Sequence, residues 1–161
     1  MGLVPQSWSE HVDVTFSVDR SDAVTILDHL RQCDGSFAPA LSSRVDLDAY
    51  SRKLQQRATR WEAWTGGSLV GLVAAYLNRD NKTGFVTNVS VLSSFHGRGL
   101  GRQLLDGCIK DAWAANMNEL RLDVSPLAAA AVHLYARAGF RVVSQTATEW
   151  TMVIHAPETK S

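Results

Sequence analysis

The chain has 161 residues, 45% of them hydrophobic, which is enough for one full-sized core, too little length for two comfortable domains, and too apolar for a disordered protein. Sixteen basic residues balance sixteen acidic ones, so no general field draws the protein to nucleic acid or to an anionic membrane. No run approaches the ~18 apolar residues of a membrane span.

The first residues, MGLVPQSWSE, lack the charged and apolar regions of a signal peptide, and Gln6 stands where a myristoylation motif wants Ser or Thr. HVDVTFSV (11–18) alternates and is rich in β-branched residues, so it reads as a strand. Ser21 is the expected cap of a helix over DAVTILDHLRQC (22–33), and GSFAPALSS (35–43) breaks it. DLDAYSRKLQQRA (46–58) reads as a second, polar helix. RWEAW (60–64) and SLVGLVAAYLN (68–78) flank Thr65-Gly66-Gly67, a strong hairpin signal. GFVTNVSVL (84–92) is a further strand, ended by Ser93-Ser94. From Gly99 onward, Leu100, Leu104, Leu105, Cys108, Ile109 and Ala112 follow helical spacing. LRLDV (120–124) is a short strand, and LAAAAVHLYARA (127–138) a helix stopped by Gly139. GFRVVSQ (139–145) and EWTMVIH (149–155) close the chain as strands. Cys33 and Cys108 lie far apart without metal-ligand spacing, which predicts free thiols, a reduced cytoplasmic protein and no metal site.

The predicted order is therefore β-α-α-β-β-β-α-β-α-β-β, and no repeat or long linker interrupts it, so a single domain is expected over 1–161 with its core at about 12–155. Helices alternate with strands only in the second half. That excludes a regular doubly wound sheet and predicts an α/β fold of mixed α+β type, with helices on both faces of a mixed sheet.

FHGRGLGRQLL (95–105) sets Gly97, Gly99 and Gly101 between a strand and a helix. Such glycines either relax a tight turn or let the main chain approach something bulky and charged. A helix start has unpaired N–H groups and a partial positive charge, so phosphate is the natural guest. A dinucleotide fold fits poorly, because the loop follows the fourth strand and no ribose-binding acid follows a second. A nucleoside triphosphatase fits worse, since the loop lacks a Gly-Lys-Ser/Thr ending.

Strand, HGRGLG, helix, short strand, and a helix ending HLYARAGF, in that order, resemble the GNAT (GCN5-related N-acetyltransferase) family over about residues 12–155. The loop is a form of the family's Gln/Arg-x-x-Gly-x-Gly/Ala. TNVSVLSSFHGRGLG and LDVSPLAAAAVHLYARAGF are similar to the enzymes that acetylate the N-terminus of a ribosomal protein. The resemblance implies a mostly antiparallel sheet of about seven strands with four helices, splayed between strands 4 and 5. It also implies acetyl-CoA as co-substrate and no metal.

Carried over residue by residue, the resemblance puts the coenzyme pyrophosphate on main-chain groups of Gly97, Arg98, Gly99, Leu100, Gly101 and Arg102. Several donors and a helix dipole hold phosphates without a dedicated cation. The pantetheine arm would pair, as a substitute strand, with the main chain of Val89, Ser90 and Val91. Tyr135 would face the coenzyme sulfur and protonate the departing thiolate. Asp123 matches the place of the catalytic glutamate of the ribosomal-protein enzymes; one methylene shorter, it would deprotonate the amine directly or through a water. Taken as residues alone, Val89, Val91 and Tyr135 equally suit a core, and Asp123 a surface or capping role.

Three positions depart from the family pattern. His96 replaces Gln or Arg, leaving it to hydrogen-bond a ligand or to cover the loop. Asn88 stands where many members keep an acid, and it cannot take a proton. Ala128 replaces an asparagine that binds near the coenzyme. His133, two residues from Tyr135, faces elsewhere on its helix and is expected to be structural.

The resemblance places the acceptor between 35–43 and 144–150, where Phe37 and Trp150 would shape an apolar wall and Glu149 would attract a cationic amine; the same residues suit plain packing or loop surface. The first helices carry no acidic cluster of the kind a polyamine seeks. The expectation is a cytoplasmic acetyl-CoA-dependent N-acetyltransferase, monomer or homodimer, working by direct attack of a primary amine. The acceptor is a small amine, an amino sugar or a peptide N-terminus, with no nucleic-acid or membrane partner. The other class left open is a non-catalytic acyl-CoA sensor, towards which Ala128 and the missing strand acid point.

Overall fold

The computed structural model describes residues 13–158. Seven strands and four α-helices follow in the expected order: β1 (Thr15–Val18), α1 (Ala23–Cys33), α2 (Leu47–Arg57), β2 (Thr59–Thr65), β3 (Ser68–Asn78), β4 (Thr83–Val91), α3 (Leu100–Ala114), β5 (Glu119–Val124), α4 (Ala129–Ala138), β6 (Arg141–Gln145) and β7 (Trp150–His155). Residues 11 and 12 of the first expected strand lie outside the described residues.

Two helix starts differ from the sequence expectation. The cap of α1 is Asp22 rather than Ser21: its carboxylate accepts the Thr25 N–H at 2.8 Å. Ser21 is buried instead, and its N–H donates to the Glu62 carboxylate at 3.0 Å. The Arg60 guanidinium reaches the Ser21 carbonyl at 2.8 Å and the Leu54 carbonyl at 3.1 Å, so one buried polar knot joins β2 to the start of α1 and the end of α2. Helix α4 begins two residues late, because Ser125 holds the N–H groups of Leu127 and Ala128 in a turn.

The sheet order is β1-β2-β3-β4-β5-β7-β6, antiparallel throughout except for the parallel β4–β5 pair. Helices α1 and α2 cover one face through Ile26, Leu30 and Leu54, packed on Leu72 and Ala74. Helices α3 and α4 cover the other through Leu104, Leu105, Cys108 and Tyr135, packed on Trp61, Val73 and Leu122. Strand alternation sends neighbouring residues to the two layers.

The β4–β5 pair positions everything that follows. It joins only residues 83–85 to 119–121, after which the strands part. Strand β5 stays with β7 to Val124, and β4 stays with β3 to Val91. Thr87 is an extra residue on β4, between the pairs Asn88–Ala74 and Val86–Ala75, and such a bulge bends and twists its strand. At the joint, a Cβ on Gly84 would come within 2.5 Å of Leu120 Cδ2 and 2.9 Å of Leu77 Cδ2. Any side chain there would have to push the ends of both leucines aside.

Gly84→Val overfills this joint, and a loss of about 1–3 kcal/mol in unfolding free energy is expected from denaturant titration. A variant as stable as the parent would show that the joint yields freely.

Candidate functional site

Where β4 and β5 part, a cleft of about 480 Å³ opens. One wall is β4 from Val86 to Val91, and the opposite one is Val124, Ser125 and the start of α4. The segment after α1 roofs it with Phe37, Leu41 and Arg44, while Tyr135 reaches it from the far layer. None of the lining residues is Asp or Glu.

The β4 wall is an unpaired strand edge. Leu92 N–H pairs with the Val70 carbonyl at 2.9 Å, so alternation turns the main chain of Ser90 towards β3 and that of Val89 and Val91 towards the gap. His96 Nε2 donates to the Val91 carbonyl at 2.8 Å and so covers the loop from within. The bulge is clamped from α2: Tyr50 hydroxyl donates to the Thr87 carbonyl at 2.9 Å and lies 2.7 Å from its hydroxyl. Burial pushes the Tyr50 phenol far above its ordinary pKa, so it remains a donor.

The glycine loop ends this edge. Gly97 (φ +79°) and Gly99 (φ +76°) are left-handed, which favours glycine at both positions. Gly101 has ordinary helical backbone, and a Cβ there would touch only Leu134 at 3.6 Å and Val91 at 3.8 Å, so the protein's own packing does not demand a glycine. The N–H groups of Leu100, Gly101 and Arg102 precede the first intrahelical bond (Gln103 N–H to the Gly99 carbonyl, 3.0 Å), and no side chain caps them. The side chains of this stretch are otherwise engaged. Leu100 is buried, the Arg102 guanidinium donates to Asp106 at 2.9 Å, and the Arg98 guanidinium stacks over Phe95 at 4.9 Å.

Tyr135 is 8% exposed and meets Phe140 edge-on with ring centroids 6.1 Å apart. Burial pushes its phenol up to about 12, and no described residue hydrogen-bonds its hydroxyl. Ala128 ends the turn before α4, whose first N–H groups have no side-chain cap and line the cleft through residues 129–131.

Sequence reasoning missed a buried polar row behind the β4 wall. His29 Nδ1 lies 2.9 Å from the Leu69 carbonyl and Nε2 2.8 Å from Ser90 Oγ. Asn88 Nδ2 lies 2.8 Å from Ser90 Oγ and 3.3 Å from the Leu72 carbonyl. Cys33 Sγ stands 3.6 Å from His29 Nε2, and its thiol is pushed up to about 11 by burial. Asn88, Ser90 and Cys33 line the cleft; His29, 1% exposed, sits behind them. Burial holds the His29 pKa down to about 4. The only signal in the sequence is that Asn88 and Ser90 share one strand face, which here is buried.

Of the expected acceptor residues, Phe37 lines the cleft and two others do not. Glu149 is exposed in the β6–β7 turn, and Trp150, half-buried, opens β7 opposite Val124. Asp123 is exposed and accepts the Thr151 hydroxyl at 2.8 Å; it stands one residue before the lining residue Val124. Arg121, on the same strand face, pairs with Glu119 at 3.2 Å and not with Asp123. His133 is exposed beside Arg137.

The acetyltransferase (GNAT) family matches residues 24–140. N-acetylaspartate synthetase of Danio rerio is 34% identical over 102 residues, 63% of this chain and 36% of that protein, so the chain spans about a third of that relative's length. Among solved structures, the ribosomal-protein-S18-alanine N-acetyltransferase of Escherichia coli superposes with a TM-score of 0.75 at 17% identity, over 92% of this chain and 97% of that one. The PaiA N-acetyltransferase of Thermoplasma acidophilum, in complex with coenzyme A, gives 0.70 at 12% identity over 88% and 99%.

The neutral His29 ring has a pH signature. Its pKa falls from 6.5 to about 4 on folding, so the unfolded chain binds more protons in that window. This stabilisation is fully present above pH 6.5 and is lost as pH falls to about 4, a change of about 3 kcal/mol. Stability measured against pH should show this slope in the parent and lose it in His29→Gln; an equal slope in both would assign the acid lability to other groups.

Proposed function

The chain belongs to the acetyltransferase (GNAT) family, and on that premise we propose that it transfers an acetyl group from acetyl-CoA to a primary amine by direct attack. What carries the reading is the continuity of an unpaired strand edge at Val89 and Val91 with the uncapped helix start at Gly99. An extended arm pairs with the first by strand addition, and a pyrophosphate takes the N–H groups of the second. Gly97, Arg98, Gly99, Leu100, Gly101 and Arg102 contribute main chain; the bareness of Gly101, unexplained by internal packing, is what a close phosphate requires. The carbonyl of Val91 is already taken by His96, so pairing falls on Val89 and on the Val91 N–H.

In the reaction the amine nitrogen forms a bond to the thioester carbonyl carbon, and the carbon–sulfur bond breaks. The leaving thiolate takes one proton from Tyr135, whose hydroxyl has no partner among the described residues and stays protonated at neutral pH. The nitrogen gives up one proton to solvent, with Asp123, exposed at the rim beside Val124, as the carboxylate that receives it through water. Tyr135 is reprotonated from solvent, and the balance closes on amide plus thiol. The similar proteins carry names that point to different acceptors, one naming N-acetylaspartate and the other an alanine of ribosomal protein S18. A small amine, an amino sugar and a peptide N-terminus all remain within the reading, with Phe37 as the apolar wall. Two buried free thiols support a reducing, cytoplasmic setting.

Acetyl-CoA should raise the melting temperature of the parent, and Gly101→Glu, which puts bulk and negative charge at the helix start, should abolish that rise. A mutant stabilised as strongly as the parent would refute phosphate binding at this loop.

Tyr135→Phe should keep coenzyme binding and lower kcat about ten- to a thousandfold where chemistry limits the rate. Free-thiol release across an acceptor panel measures this and also separates an enzyme from a sensor, since only the enzyme releases thiol when an amine is added.

A further inference from the structure

The buried row behind β4 has a direction, and the direction fixes the last group in it. The Leu69 carbonyl can only accept, so the proton of the neutral His29 ring sits on Nδ1. Nε2 is then bare, and Ser90 Oγ, 2.8 Å away, must donate to it. Having used its one proton, the Ser90 oxygen accepts from Asn88 at 2.8 Å, and this contact selects the amide nitrogen. The Leu72 carbonyl, 3.3 Å from the same atom, also requires a donor. Two independent contacts therefore turn Asn88 Nδ2 inwards, and Oδ1 is left towards the cleft. No described residue donates to that oxygen, although Asn88 is only 5% exposed.

We propose that Asn88 Oδ1 receives one N–H of the acceptor amine and so aims the nitrogen lone pair at the thioester carbonyl, with Ser90 and His29 as positioning residues. This rests on the acetyltransfer reading above. A neutral primary amine has two N–H groups and one lone pair; anchoring an N–H in a fixed direction removes rotational freedom that attack would otherwise have to lose. An amide suits the task better than an acid. A carboxylate at this depth would stabilise the ammonium and keep the lone pair protonated, whereas a neutral oxygen accepts the N–H without holding the extra charge. The proton thus leaves by a separate route, while Asn88 supplies orientation alone.

The test has two readouts. In nitrogen-15 NMR of the parent, His29 should carry its proton on Nδ1 throughout pH 6 to 8. The Nε2-protonated tautomer would make Ser90 an acceptor from His29 and a donor to Asn88, turn the amide over, and overturn the proposal. In thiol-release assays with glucosamine, phenethylamine and an alanine-initiated peptide, Asn88→Leu should lower kcat/KM for the amine about tenfold or more, the size of one hydrogen bond, with the KM for acetyl-CoA within about twofold. Ser90→Ala, which removes one of the two contacts that orient the amide, should lower the same quantity less, and Ser90→Thr should restore it. An active parent matched by Asn88→Leu overturns the role of the amide alone. A parent that releases no thiol with any of these amines overturns the acetyltransfer reading, and the role of Asn88 with it, whatever the tautomer of His29.

Discussion

Two strands that run together for three residue pairs and then separate are the constraint on which this molecule depends. Main-chain hydrogen-bonding groups buried without partners are costly, so a sheet does not open in its middle unless something fills or solvates the gap. Here the opening is held from both sides: Gly84 allows contact at the joint, the bulge at Thr87 bends β4 away, and Tyr50 satisfies the bulge carbonyl. Strand β5 meanwhile keeps its full ladder with β7 on its other side, so the gap opens between the facing edges of β4 and β5. The cleft is therefore a product of backbone geometry first and of side chains second.

Its electrostatics follow from the same geometry. Helix α4 begins at the cleft and α3 follows the end of β4, and both begin without a side-chain cap. Their positive ends, with Arg44 at the roof and no lining carboxylate, make the cleft favourable to anions although the chain as a whole is neutral. Ala128 is part of this pattern. An asparagine there would offer the helix start a cap, whereas alanine leaves the N–H groups of α4 open.

Much of the fold was legible in the sequence because local rules and tertiary demands agree. Gly66-Gly67 turns the β2–β3 hairpin where the dipeptide predicts, and Gly139 stops α4 in the left-handed conformation expected of it. Gly97 and Gly99 read as a tight turn before a helix, and both take the left-handed conformation there. What could not be read depended on depth. Ser21 and Asp22 are equivalent caps on paper, and only the buried carboxylate of Glu62 decides between them. His29 is sixty-one residues from Ser90 along the chain, and each of His29, Asn88 and Ser90 alone reads as an ordinary polar residue; the row exists only once α1 lies across β4. Phe37 is among the residues that line the cleft, while Glu149 and Trp150 are not.

Cys33 gives this cleft a chemical safeguard. A cysteine thiolate beside a bound thioester is a competing nucleophile, able to capture the acyl group and leave the protein esterified at sulfur. Burial pushes the Cys33 thiol up to about 11, so at neutral pH the reactive thiolate is scarce. The apolar packing that closes α1 against the sheet thus also keeps this cleft-lining thiol unreactive.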